Sequence, residues 1–152
     1  MDWKYIAGFF DGEGTIAHNG KGFRITITQT NEDVLEAIRR FTSSGYIVEI
    51  TKRKKHWKDS WLFYIAKQKD VYNFIANIKD YLIVKEVLAK KTLIQLKAYL
   101  KVREKQRLLK ENRIKHAKVL RMKGWSYRKM GKQLNTDYGY IRRLLLKKTV
   151  NR

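Results

Sequence analysis

The sequence contains no cysteine and no proline, and only 14 of its 152 residues are Asp or Glu. The absence of cysteine excludes disulfides and Cys-based zinc sites, and it leaves the redox compartment open. No apolar run approaches the length of a membrane span, and the opening Met-Asp-Trp-Lys does not resemble a signal peptide. No segment rich in proline, glycine and serine forms a linker, and no internal repeat is present. We therefore expect a soluble, intracellular protein of the cytoplasm, the nucleoid or an organelle matrix, without a membrane partner.

The shortage of acidic residues leaves a large positive charge. The 35 Lys and Arg give a net charge of +21 and an isoelectric point near 10.2. Such a surplus attracts polyanions, so nucleic acid is the first partner to consider, although a merely basic soluble protein would share this composition. Residues 1–80 hold 13 basic and 10 acidic residues, whereas residues 81–152 hold 22 and 4. The imbalance predicts a charge-balanced region followed by a region that binds phosphates.

The hydrophobic content of 43% is sufficient for a buried core, and its spacing predicts an ordered set of elements. Segments whose apolar residues have helical spacing are separated by pairs of segments in which every second residue is apolar. The resulting order is helix, hairpin, helix, hairpin, helix. This order predicts an α+β domain whose antiparallel sheet carries helices on one face, followed by three short helices from about residue 114. The predicted helices of the first domain cover residues 2–10, 32–43, 70–78 and 83–112, and the predicted strands cover 15–18, 23–28, 46–53 and 60–67.

The segment from Ile6 to Gly14 carries the most specific signal, reading Ile-Ala-Gly-Phe-Phe-Asp-Gly-Glu-Gly. Small residues within a helix allow a second helix to approach closely, and the acidic residues that follow would stand at the end of that helix pair. The segment resembles the LAGLIDADG motif of homing endonucleases, and the resemblance extends over residues 3–100. It implies the αββαββα fold, a saddle-shaped antiparallel sheet with helices on one face. The outright matches are Ala7, Gly8, Asp11 and Gly14, with Gly12 in place of an alanine.

The motif occurs once, whereas an active site of this family uses two copies. The resemblance therefore implies a twofold homodimer in which the same patch meets itself. Two Glu13 carboxylates would converge at the dyad, and they repel each other unless hard cations lie between them, which implies Mg²⁺ as cofactor with Mn²⁺ as a substitute. Asp11 is expected to accept hydrogen bonds from backbone groups. The implied interface residues are Ala7, Gly8, Asp11 and Gly12.

The resemblance also implies a set of catalytic residues. Glu13 is the expected metal ligand, although many family members carry Asp there. Gln29, just after the second strand, stands where a family Gln positions groups near the cleaved phosphates. Lys85 stands where a family Lys stabilises charge that develops on the phosphate. An ordinary loop glutamine, a solvated lysine and a glycine-rich turn with two solvated acids are the alternative interpretations.

In this family the concave sheet face lies in the major groove, which is wide enough for a β-ribbon. Alternation in the second strand assigns Arg24, Thr26 and Thr28 to that face, with Ile25 and Ile27 beneath the helices. The facing of strand 46–53 is ambiguous, and His18, Tyr64 and Lys67 are weaker candidates. The basic turn of the second hairpin is expected to bind phosphate through Lys52, Arg53, Lys54 and Lys55.

Residues 115–148 resemble a helix-turn-helix. Gly131 occupies the position where a small residue lets two helices cross closely, and Leu134, Ile141 and Leu145 would fill a small core. The alternative is a basic three-helix tail that contacts only phosphate. We predict a LAGLIDADG domain at 1–112 and a small all-helical helix-turn-helix domain at 113–152. The residues expected on DNA are Tyr138, Tyr140, Arg142 and Arg143, with Lys147 and Lys148 on its backbone.

Together these resemblances imply a site-specific double-strand endonuclease that acts as a homodimer on a long, near-palindromic site. The expected reaction is divalent-metal-dependent phosphodiester hydrolysis that leaves short 3′ overhangs, by an enzyme encoded within an intron, an intein or a mobile phage element. A non-catalytic DNA-binding regulator and an intron RNA-splicing maturase are the alternatives. Glu13, Gln29 and Lys85 favour cleavage, and the helix-turn-helix favours duplex DNA over intron RNA as the partner.

Overall fold

This computed structural model describes residues 1–52, 56 and 58–146 of the chain. The chain divides into two compact units, Met1–Leu100 and Lys101–Arg152. Within the described ranges, no helix combines the length and apolar character that a membrane span requires. The helices are α1 (Trp3–Glu13), α2 (Glu32–Thr42), α3 (Gln68–Ile78), α4 (Glu86–Met122), α5 (Tyr127–Gln133) and α6 (Tyr138–Leu146); a 3-10 turn covers Lys79–Tyr81, and the strands are β1 (Gly14–His18), β2 (Phe23–Gln29), β3 (Tyr46–Glu49) and β4 (Trp61–Ile65).

The first unit is built on one antiparallel sheet with the strand order β1-β2-β4-β3. Ile25 pairs with Ile65, and Ile27 pairs with both Gly14 and Phe63, so apolar residues from neighbouring strands share one face. Helices α1, α2 and α3 cover that face, and the α+β fold with helices on one side of the sheet is confirmed. The core of this layer contains Ile6, Phe10, Ile25, Ile27, Leu35, Ile38, Phe63, Ile65, Val71, Phe74, Ile75 and Ile78.

Helix α1 begins where the sequence predicts and ends later. The Asp2 carboxylate caps it by accepting a hydrogen bond from the Tyr5 N–H at 2.8 Å. The predicted end at residue 10 is wrong, because the helix continues through Glu13 and its last bond runs from the Gly14 N–H to the Phe10 carbonyl. Gly14 then starts β1 directly. A Cβ at Gly14 would lie 2.0 Å from the Phe10 ring, so only glycine allows the chain to pass there.

Helix α4 is a single helix, whereas the sequence predicted a helix to residue 112 and a separate short helix after 114. Residues 86–122 contain no glycine and consist largely of strong helix formers, so no residue there ends the helix. The first residue with a positive φ beyond it is Gly124, at +79°. Strand β3 is also shorter than predicted, although the Ile50 N–H still bonds to the Ser60 carbonyl at 2.8 Å.

In the second unit, the C-terminal part of α4 packs with α5 and α6 around a small core of Ala117, Met130 and Ile141. Ser126 caps α5, and the Asp137 carboxylate caps α6 by accepting a hydrogen bond from the Tyr140 N–H at 2.8 Å. Gly131 stands at the turn between them. A Cβ at Gly131 would lie 2.8 Å from the Thr136 carbonyl oxygen, which explains the need for a small residue there.

Candidate active site and nucleic-acid interface

The C-terminal end of α1 gathers the predicted catalytic residues at one end of the sheet. Glu13 is the last residue of α1, and its side chain is exposed. The register pairs Gly14 with Ile27, so β2 runs on past β1 and carries Gln29 to the same end. The Gln29 Oε1 accepts a hydrogen bond from the Thr30 N–H at 2.8 Å. Glu13 and Gln29 therefore lie at the same end of the sheet.

Asp11 connects the end of α1 to the start of α4. Its carboxylate accepts hydrogen bonds from the backbone N–H groups of Ile83, Val84 and Lys85 at 2.7, 2.8 and 2.9 Å. These N–H groups precede the first turn of α4, so a side chain from another helix caps α4. Partial burial by itself would raise the pKa of Asp11. The three N–H donors and the charge of Lys85 outweigh that effect and hold the pKa below its ordinary value of 3.8.

The side chain of Lys85 forms a second link between the start of α4 and the end of α1. Its ammonium group donates a hydrogen bond to the backbone carbonyl of Asp11, in the last turn of α1. Carbonyls at a helix C-terminus lack intrahelical donors and carry partial negative charge, which favours a cation there. Lys85 therefore lies beside the helix end that carries Glu13. Since an ammonium group has three N–H donors, this bond leaves donors for other acceptors.

The remaining surface of α1 presents small residues. Gly8 and Gly12 are exposed, and a Cβ at either position would meet no atom within 4 Å. Beside them, the rings of Tyr5 and Phe9 stack with centroids 6.1 Å apart. Ala7 differs from the prediction because it is fully buried in the core of its own chain, so its side chain is not open to a partner. The apolar residues of α1 lie on most sides of the helix, and this pattern did not reveal which side faced the core.

The solvent face of the sheet carries the predicted residues of β2. Arg24 and Thr28 are exposed and Thr26 is half-buried, while Ile25 and Ile27 between them are fully buried. The pairing across the sheet adds residues that the sequence did not identify. Tyr46, Val48 and Leu62 share this face, together with the weaker candidate Tyr64. Strand β3 reads Tyr-Ile-Val, which is apolar at successive positions, so only its register with β4 reveals its exposed side.

The basic turn of the second hairpin lies largely outside the described residues. Lys52 is exposed, and its ammonium group pairs with the Asp59 carboxylate at 2.5 Å. An exposed ion pair of this kind contributes little to stability, so Lys52 is free to exchange Asp59 for a phosphate. Arg53, Lys54 and Lys55 lie outside the described residues.

The second unit exposes a basic surface on α6. Tyr138 is 52% exposed, and Arg142 and Arg143 are exposed, while Ile141 and Leu144 on the opposite side are buried. Tyr140 is half-buried, so it offers less surface than its neighbours. The Arg128 guanidinium on α5 lies 5.9 Å from the Tyr138 ring centroid, which adds a further cation beside α6. Lys147 and Lys148 lie outside the described residues.

The described residues of this chain do not form a complete set of protein ligands for a metal ion. No group of three or more His, Cys, Asp or Glu side chains in those ranges is placed to hold an ion. Glu13 offers one exposed carboxylate, whereas the Asp11 carboxylate already accepts three backbone hydrogen bonds. Oxygen ligands of this kind suit a hard divalent cation. A metal ion at Glu13 would therefore need further ligands from DNA, water or a second chain.

The sequence profile of the LAGLIDADG-like domain matches residues 2–79, which is just over half of the chain and covers α1 through α3. The chain belongs to the LAGLIDADG family. The matched region contains Asp11, Glu13 and Gln29, and it also contains all four strands of the sheet. The family assignment made from the Ile6–Gly14 segment is confirmed.

Solved LAGLIDADG structures share this fold at low sequence identity. The homing endonuclease I-CvuI, in complex with its target and Ca, is 17% identical with a TM-score of 0.51, over 95% of this chain and 92% of that chain. The archaeal intron-encoded homing endonuclease I-Vdi141I, complexed with DNA, is 19% identical with a TM-score of 0.50, over 98% and 97%. The meganuclease I-AabMI, bound to uncleaved DNA, is 20% identical with a TM-score of 0.54, over 77% and 42%. No curated protein matches the chain.

Proposed function

We propose that this LAGLIDADG protein is a site-specific DNA endonuclease that acts as a homodimer and cuts both strands of a long, near-palindromic duplex. The observation that carries this proposal is the end of α1, where Glu13 is exposed, Lys85 donates to the Asp11 carbonyl in the same helical turn, and β2 brings Gln29 to the same end of the sheet. Solved relatives of the same fold are homing endonucleases in complex with DNA. A catalytic carboxylate at the rim of an exposed sheet face suits a substrate that lies along that face.

The open glycine side of α1 supports a twofold dimer. Gly8 and Gly12 leave space that no atom of the same chain fills. In a dimer, that space would allow the α1 helices of two chains to pack closely, as small residues allow at other tight helix crossings. A twofold axis between the helices would bring together the two Glu13 side chains, one from each chain. The bonds from Asp11 to the residues before α4 would hold each α1 end in place.

Each residue then has a distinct task at the scissile phosphate. Glu13 would hold a divalent cation such as Mg²⁺, which when bound lowers the pKa of a water and stabilises the leaving oxygen. Gln29 would orient the water that attacks phosphorus. The attacking water would lose a proton to the solvent and bond to phosphorus, the bond from phosphorus to the sugar oxygen would break, and that oxygen would take up a proton from the solvent, while negative charge grows on the phosphate oxygens. The unused donors of Lys85 would stabilise that charge.

The test is cleavage of a duplex library, or of the DNA that flanks the gene, in Mg²⁺. The wild type should cut, and Glu13→Gln should bind the same sites without cutting them, because the amide has lost the charge that holds the cation. Glu111→Gln is the matched control, since it removes an exposed glutamate of the second unit and should cut normally.

Other outcomes would separate the alternatives. Tight, specific binding by the wild type without cleavage in either Mg²⁺ or Mn²⁺ would indicate a DNA-binding regulator. Preferential binding to intron RNA with faster splicing would indicate a maturase. Equal cleavage by the wild type and Glu13→Gln would show that Glu13 does not hold the metal.

A further inference from the structure

The exposed face of the sheet carries little charge, although the chain as a whole has a net charge of +21. The cross-strand pairing arranges its side chains in rows that run from strand to strand. Arg24 is the one charged residue that the described strands place on this face. One row contains Thr15, Thr26, Tyr64 and Tyr46, a second contains Thr28, Leu62 and Val48, and Ala17 pairs with Arg24 beside the first.

Several side chains on this face are apolar and uncovered. Tyr46 is 65% exposed and Val48 is 49% exposed, both on the edge strand β3. The Tyr46 ring lies 5.5 Å from the Tyr64 ring, so the two aromatic residues form one continuous surface. Leu62 is half-buried and extends that surface along β4. A contiguous exposed apolar surface of this kind marks a binding site.

The chemistry of this face does not suit a phosphate backbone. Phosphate contacts are made mainly by Arg, Lys and backbone N–H groups, and the face offers only Arg24 as a cation. By contrast, the second unit contains 18 Lys and Arg against three Asp and Glu, a net charge of +15 over residues 101–152. The cations therefore belong mainly to the second unit and to the turn between β3 and β4, and the exposed side chains of the strands are left to recognise something less polar.

In the major groove, the apolar group that a protein can recognise is the 5-methyl of thymine. Alanine, the threonine methyl and aromatic side chains are its usual contacts, and this face contains all three types. Its threonine and tyrosine hydroxyls can each donate or accept, so they suit the adenine and thymine edges beside the methyl group. Base pairs of G and C offer no methyl group in the groove.

We propose that the sheet face of each protomer recognises an A·T-rich segment of the half-site through thymine methyl groups, with Tyr46, Val48 and Leu62 as the principal contacts. This inference rests on the proposed function, because it requires that the sheet lie on duplex DNA. Arg24 would contact a guanine or a phosphate at the margin of that segment. The selectivity of the sheet for thymine would then be separate from the electrostatic affinity of the second unit.

The experiment begins with selection of preferred duplexes from a random library by the full-length protein without divalent metal. The selected half-sites should contain an A·T-rich segment. The preferred site is then synthesised with deoxyuridine in place of thymidine in that segment, which removes only the methyl groups. Binding should weaken about three- to fourfold for each methyl contacted, the factor expected for one buried methyl-sized group.

Variants assign the contact to particular residues. Val48→Thr keeps the shape of the side chain and replaces one methyl by a hydroxyl, and Val48 is exposed, so folding should be unaffected. For this variant the preference for thymidine over deoxyuridine should fall in part at the thymine that Val48 contacts, because threonine keeps one of the two methyl groups of valine. Tyr46→Ser should have the same effect at a neighbouring thymine. Val102→Thr, at an exposed position of α4 in the second unit, should retain the full preference.

The outcomes distinguish this inference from the proposed function. Equal affinity for thymidine and deoxyuridine sites, with specific binding and Mg²⁺-dependent cleavage intact, would overturn the thymine inference alone. Selection of G·C-rich half-sites would do the same. A full thymidine preference in both Val48→Thr and Tyr46→Ser would remove these residues from the contact surface and overturn the inference as stated. No specific binding to any duplex would overturn both proposals and leave the apolar face as a surface for a protein partner.

Discussion

Asp11 performs a structural task that differs from the task of Glu13, although both acids belong to the same motif. Its carboxylate accepts three backbone N–H bonds from residues more than 70 positions away in the sequence. Glu13, two residues later, is exposed and lies at the end of the helix. The motif therefore joins an anchoring acid to an exposed acid, the proposed metal ligand, and substitution should separate their effects.

We predict that Asp11→Asn lowers the free energy of unfolding by about 1–2 kcal/mol at pH 7, the usual cost of losing a charged helix cap. The pKa of Asp11 is lowered in the folded protein, so its charge stabilises the fold above the unfolded pKa, near 3.8. That contribution is lost as the pH falls through the folded pKa. Urea unfolding of wild type and variant should therefore differ at pH 7, and the difference should shrink as the pH falls below the unfolded pKa and through the lower folded pKa.

The control for this prediction is Asp59→Asn, which removes an exposed carboxylate paired with Lys52. An exposed pair contributes about 0–1 kcal/mol, so this variant should unfold close to the wild type. A difference between Asp11→Asn and wild type that does not shrink as the pH falls below the unfolded pKa of 3.8 would mean that the charge of Asp11 does not cap α4.

The exposed glycines of α1 form the side of the helix that would pack against a second chain in the proposed dimer. Gly8→Val adds a side chain where the chain itself has open space, so the folded monomer should tolerate it. In the proposed dimer the same side chain would separate two closely packed helices. We expect sedimentation analysis to show a dimer for the wild type and a monomer for Gly8→Val, with cleavage abolished.

Ala98→Val provides a matched enlargement of a small, exposed helical residue, on α4 instead of α1. It should remain dimeric and active. If Gly8→Val also remained dimeric, the two chains would not meet through α1, and the shared metal site between two Glu13 residues would be excluded.

The elements that the sequence predicted well are those with a single clear pattern of burial. The alternation in β2 correctly placed Ile25 and Ile27 inside and Arg24 outside. The pattern was ambiguous where apolar residues occupy both sides, as in β3 and around Ala7, because tertiary packing alone decides which side is buried. The bonds from Asp11 to residues 83–85 join distant segments, and no local pattern reveals such an interaction.

The turn between α5 and α6 depends on one small residue. A Cβ at Gly131 would lie 2.8 Å from the backbone oxygen of Thr136, and this atom cannot move aside as a side chain could. We predict that Gly131→Ala destabilises the second unit by about 1–3 kcal/mol. Hydrogen exchange should quicken in α5 and α6 and stay unchanged in the sheet.

Gln133→Ala is the control, since it also places an alanine on α5 but at an exposed position away from the close approach at Thr136. Unchanged exchange in Gly131→Ala would contradict the close approach at Thr136. Faster exchange in the sheet as well would mean that the two compact units unfold together.

The distribution of charge over the molecule determines how its DNA affinity should depend on salt. The second unit carries a net charge of +15, and the exposed sheet face carries one cation. If α6 binds the DNA backbone, the double variant Arg142→Gln, Arg143→Gln should lower the slope of log affinity against log salt by about 0.9 for each phosphate that the protein no longer neutralises. The preference for thymine in the half-site should persist, because the sheet provides it.

The matched control removes two basic residues from helices that cover the other face of the sheet, Arg40→Gln on α2 and Lys69→Gln on α3. Both double variants remove two charges and so weaken long-range attraction to DNA equally. The salt dependence of affinity should therefore fall more in the α6 variant only if Arg142 and Arg143 bind phosphate directly. Equal slopes in the two variants would show that Arg142 and Arg143 act through net charge alone. A lower slope together with relaxed base preference would assign base recognition to α6 as well as phosphate binding.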